Sequence, residues 1–104
     1  MPPPHWTSEF IPPILEGFGV VRREDGILIA GRVEYEIEVW QHYVDGVLEL
    51  REIEGRILSG LNAYATVGEN LVLTLEDGRT LPFALRDLRG NLVARGPLAR
   101  PTKP

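Results

Sequence analysis

The sequence predicts an antiparallel all-β domain of about six strands, joined as a meander and curled into a small closed or partly open barrel. Three observations lead there. Turn signals of one kind, Glu24-Asp25-Gly26, Val44-Asp45-Gly46 and Glu76-Asp77-Gly78, separate alternating or apolar runs, with Leu88-Arg89-Gly90 a weaker fourth. No segment holds a helical period. The chain has 104 residues, 43% of them hydrophobic, enough for one core, and short strands bury one core best by curling.

Residues 1–17 read as a Pro-rich lead. Five prolines in the first thirteen positions argue against helix and against a central strand. Trp6, Phe10, Ile11, Ile14 and Leu15 are too apolar for a free tail, so part of this lead is expected to lie across the folded body. The β domain is expected over 18–96, with strands near 18–23, 27–43, 47–58, 70–75, 79–87 and 91–96. Ser59 to Asn70 is the one long connection, with Tyr64–Val67 a candidate extra strand. Residues 97–104 are polar and Pro-punctuated, and read as a mobile tail.

Side-chain faces set the registers. A three-residue loop at Glu76-Asp77-Gly78 places Leu73 opposite Leu81 and Leu71 opposite Phe83, with every large apolar residue on one face. The same loop at Val44-Asp45-Gly46 pairs Ile37 with Ile53, Val33 with Ile57 and Trp40 with Leu50, and lets Tyr35 cover Gly55. In the long hairpin the odd face is apolar near the base and the even face near the tip, the pattern of a strand pair that bends around a corner. The second strand must also reset its phase between its two neighbours, and Gly31 is the natural site for a bulge.

Composition narrows the function. There is no Cys, which removes disulfides, thiolate metal sites and cysteine nucleophiles. A net charge of -4 argues against a protein that coats nucleic acid. Neither a secretory leader nor an apolar membrane span is legible, so a cytoplasmic location is expected by default. No catalytic motif occurs: the two histidines are His5 and His42, and Ser8 and Ser59 have no base near them in sequence. No catalytic residue, metal ligand or cofactor is assigned, and no family is recognised.

Two surfaces invite a partner. On the even face of the long hairpin, Glu36, Glu38, Glu52 and Glu54 share a small area, where like charges opposite one another are unfavourable unless something basic answers them. At the tip, Trp40 and His42 offer an aromatic anchor and a titratable ring beside Leu48 and Leu50. Residues 79–104 carry six basic residues against Asp87 alone, a net of +5, while residues 1–78 carry -9. In a closed sheet the last strand is expected beside the first, where the two signs would balance.

The reading is therefore a non-enzymatic binding or protein-interaction module. Its contact surface is Trp40, His42, Glu36, Glu38, Glu52 and Glu54, and its partner is another protein or a second copy. Two alternatives are a carrier with an internal apolar cavity and an anion or nucleic-acid binder using the Arg-rich last third. Sparse exposed aromatics disfavour single-stranded nucleic acid.

Overall fold

A computed structural model of the chain describes residues 3–100. Six strands form a closed antiparallel barrel: β1 (Trp6–Arg23), β2 (Leu28–Val44), β3 (Val47–Ser59), β4 (Leu71–Thr74), β5 (Thr80–Leu85) and β6 (Asn91–Ala94). A short helix, α1 (Ala63–Thr66), lies between β3 and β4, and among the described residues no helix is long and apolar enough to cross a membrane.

The barrel order is β1-β2-β3-β6-β5-β4. A simple meander would set β6 beside β1; instead β6 pairs with β3 and β4 closes on β1. The connection through α1 carries the chain across, so β4-β5-β6 enters in reverse order. This places the basic end of the chain beside β3 and its carboxylates rather than beside the first strand. In that connection Tyr64–Val67 is no strand. Asn62 caps a helical turn, its Oδ1 accepting from the Ala65 N–H at 3.3 Å, and Thr66 is buried with its hydroxyl donating to the Asn62 carbonyl at 2.8 Å.

The β4–β5 register is as the faces require, with Leu71 opposite Phe83 and Leu73 opposite Leu81. The Glu24-Asp25-Gly26 loop also closes as expected, Arg23 N–H donating to the Ile27 carbonyl at 2.9 Å. Between Gly19↔Val33 and Val21↔Ala30 one extra residue enters β2, which places the bulge at Gly31–Arg32.

The long hairpin differs by two residues from the expected register. Asp45 and Gly46 both have positive φ, 50° and 81°, and form a two-residue turn with Val44 opposite Val47. A bulge then leaves Glu49 without a partner, and from His42↔Leu50 onward Trp40 faces Glu52, Glu38 faces Glu54, Ile37 faces Gly55 and Glu36 faces Arg56. Turn plus bulge shift the pairing by an even number from Leu50 onward, so those side chains keep their face, while Val47 and Leu48 change theirs, Leu48 falling opposite Tyr43. Alternation cannot distinguish the two registers. Gly55 is therefore covered by Ile37, whose Cδ1 lies 2.7 Å from where a Cβ would stand, while Tyr35 opposes Gly17 and Ile57.

The interior is filled. Val21, Val33, Ile37, Leu71, Leu73, Leu81 and Phe83 are fully buried, with Tyr35 almost so. These are most of the residues a ligand cavity would need as its lining, and they pack on one another. The Tyr35 hydroxyl accepts from the Glu76 N–H at 3.1 Å, so its polar end is satisfied.

Strand length decides the shape. β1, β2 and β3 have 18, 17 and 13 residues, against 4, 6 and 4 for β4, β5 and β6. Closure is confined to Val20–Arg23 on β1 and Glu54–Arg56 on β3. Beyond those pairs the three long strands continue as a three-stranded arm, and the molecule measures 52 × 35 × 23 Å. The first strand, expected from Phe18, starts at Trp6: the apolar lead extends the sheet by pairing with the tip of β2, Trp6 opposite Val44 and Phe10 opposite Trp40. Of the expected tail, Ala99 bridges to Thr80 with both backbone bonds made, and residues 101–104 lie outside the described residues.

Candidate functional site

The arm carries the sequence-predicted residues on one face. Cross-strand rows on that face read Trp6–Val44–Val47, Ser8–His42–Leu50 and Phe10–Trp40–Glu52, followed by Glu38–Glu54. The Phe10 and Trp40 rings lie 5.5 Å apart at 52°, a tilted aromatic pair. Trp40 Nε1 donates to Glu38 Oε2 at 3.1 Å. Near the tip, Trp6, Val47, Leu48 and Leu50 are exposed.

His42 is held from both sides. Its Nε2 lies 3.0 Å from Glu52 Oε2 and its Nδ1 lies 2.7 Å from the Ser8 hydroxyl. An ionised carboxylate can only accept, so in the neutral ring Nε2 carries the proton and Nδ1 accepts from Ser8. The chain Ser8–His42–Glu52 orients the imidazole on an open sheet surface and polarises the Ser8 hydroxyl. His5 does not join it. Its backbone N–H donates to Asp45 Oδ1 at 3.1 Å and its carbonyl accepts from the Asp45 N–H at 3.0 Å, which ties the start of the chain to the hairpin turn.

The four predicted glutamates do not act as one group. Glu36 stands opposite Arg56 on β3 and Glu16 on β1. Glu38, Glu52 and Glu54 stay together. Partial desolvation, then the carboxyl and charge of Glu52 and the charge of Glu38, hold the Glu54 carboxyl above the usual carboxylate range, while Arg86 pulls it the other way. Among the described residues no group of carboxylates and histidines is arranged to hold a metal ion.

These carboxylates overlook a groove of about 900 Å³, where β3 and the chain leaving β6 diverge. One wall is Arg51–Arg56 of β3, the other Asn91–Ala94 and Gly96–Leu98, with Val39 and Arg86 also contributing. Strand pairing across it stops at Glu54↔Val93. Ile57 donates its N–H to the Gly90 carbonyl at 2.8 Å, so odd-numbered residues of β3 direct their amides toward β6. The β2–β3 ladder has no register shift from Arg51 to Ile57. By the same alternation Ile53 and Arg51 direct theirs to the side of the groove, and beyond Glu54↔Val93 the β3–β6 ladder has no further pair among the described residues.

Sequence reasoning missed Ser8, Phe10 and Arg86. Trp6, Ser8 and Phe10 alternate with the period of a strand, a signal hidden by the prolines around them. Arg86 reaches the acidic strand only because β6 pairs with β3. Of the other basic residues in the last third, Arg79 is paired with Asp77 at 2.7 Å. Comparison with protein families, curated proteins and solved structures finds no match for this chain. The small barrel with its filled core is consistent with a binding module.

Proposed function

We propose that this protein is a non-enzymatic protein-interaction module whose three-stranded arm takes up an extended segment of a partner along the outer edge of β3. The observation that carries this reading is the run of β3 that leaves the barrel with amides directed to the side of a groove. Extended peptides add to sheet edges through main-chain hydrogen bonds, and side chains on alternate faces set the choice of partner. Trp40, His42, Glu36, Glu38, Glu52 and Glu54 would form the face that reads one side of the incoming strand. The acids give that face its sign, and Trp40 with His42 gives it rigidity.

Selection from a displayed library of random short peptides, followed by titration of selected peptides into the isotope-labelled full chain, tests the proposal. Amide shift changes and slowed exchange concentrated on Arg51, Ile53 and the 94–98 wall are expected. Shifts centred on β4, β5 or the far edge of β1 would refute strand addition at this edge.

A further inference from the structure

The two edges of the arm are treated differently. On the β1 edge, Pro12 and Pro13 have no N–H to offer, and the Glu76 carboxylate accepts from the Phe18 N–H at 2.9 Å. Proline and side-chain caps are the usual means by which an edge refuses a new strand. Among the described residues the β3 edge has neither, and its outward run Leu50-Arg51-Glu52-Ile53 contains no proline.

A second copy fits this edge poorly. Two identical strands related by a two-fold axis through a sheet must pair residues of like parity, because a residue whose N–H and C=O point outward exchanges bonds only with a residue whose C=O and N–H also point outward. Over the regular stretch this leaves two registers. One sets Glu52 against its own copy on the axis, and the other sets Arg51 against its own copy. Like charges face to face oppose both. Pairing Ile53 with its own copy would require Glu54, already opposite Val93 of β6, and registers nearer the tip run into the bulge at Glu49.

A foreign strand has no such parity constraint. On the even face, its residue opposite Glu52 meets a carboxylate flanked by Glu38 and Glu54. On the odd face, its residue opposite Arg51 meets a guanidinium. Leu50 and Ile53 bracket the two. We infer that the edge recognises an extended protein segment whose antiparallel core reads apolar, basic, acidic or small polar, apolar, with the basic residue set over Glu52. This rests on the strand-addition reading and adds the chemistry of the partner to it.

The test uses three short peptides in a common Thr-rich frame, with cores Val-Lys-Glu-Val, Val-Ser-Ser-Val and Val-Glu-Glu-Val. Each is titrated into the full chain at about 50 mM and about 0.5 M salt. The Lys-containing core is expected to bind about tenfold or more tighter than the Glu-Glu core at low salt, with the Ser-Ser core between them. High salt should compress that spread, and Glu52→Gln should compress it without salt. Equal binding of all three, with shifts still at Arg51 and Ile53, would overturn the basic partner and leave strand addition standing. Charge-ranked binding that survives N-methylation of the peptide's bonding edge would overturn strand addition. Absence of binding by all three would overturn both.

Discussion

Glu38 and Glu54 stand directly opposite one another on β2 and β3, with Glu52 on the same face one turn of the pleat away. Arg86, which lines the same groove from the barrel side, offsets part of this repulsion. Relieving it should stabilise the protein. Glu54→Gln is expected to gain about 0.2–1 kcal/mol at neutral pH, the scale of one unfavourable cross-strand pair at an exposed site. Urea unfolding checks the value. The sign follows from the raised Glu54 carboxyl: the folded state holds that proton more tightly than the unfolded chain, whose reference is 4.5. Its stabilising share is complete below that value and is lost as pH rises through the folded one. The advantage of the variant should therefore disappear in acid.

Asp25, Asp77 and Asp87 work in the opposite sense. Backbone bonds lead for Asp25 and Asp77, from Ile27 and Arg79, and the Asn91 side chain leads for Asp87; each carboxyl is held below 3.8. Their contribution is present above that reference and is lost as pH falls through the folded values. Acid titration of the unfolding midpoint should show a decline below about pH 4. Asp77→Asn, which keeps an acceptor for Arg79 N–H but has no proton to gain, should lessen it, with the shares of Asp25 and Asp87 remaining.

Gly78 sits at φ 90° in the loop that sets Leu73 opposite Leu81. Gly78→Val should cost about 1–3 kcal/mol, because a β-branched residue is strained there. Denaturant unfolding gives the number.

Leu73 and Leu50 separate core from arm. Leu73 is fully buried, while Leu50 is 53% exposed. Leu73→Ala should cost about 2–5 kcal/mol and Leu50→Ala less than about 0.5. Comparable costs would mean that the arm is covered.

His42 should show the Nε2–H tautomer in its neutral ring in long-range proton–nitrogen NMR spectra. Glu52→Leu should release that preference, since Ser8 alone can serve Nδ1 either as donor or as acceptor.

Much of the barrel was legible because its signals are local. The turns at Asp25-Gly26 and Asp77-Gly78, the Gly31 bulge and the buried face of β4 and β5 follow from period-two alternation and the conformational range of glycine. The register of the long hairpin was not legible, since a shift of two residues leaves Trp40, His42 and the glutamates on the same face. The extent of β1 was hidden as well. Prolines that bar a central strand are tolerated at an edge, and only pairing with β2 makes Trp6–Phe10 a strand.

The sequence by itself determined that this chain is an antiparallel all-β domain, which residues fill its interior, and which face of the long hairpin carries aromatic and acidic groups. Those properties depend on neighbours a few residues apart. Only the tertiary structure decided that β6 lies beside β3, that Glu36 meets Arg56 while Glu38 meets Glu54, and that Ser8 reaches His42. Strand order is set by how the whole sheet closes, and closure is a competition among contacts distant in sequence. The short strands β4–β6 close only part of the long ones, so the open edge of β3 exists only once the barrel is assembled.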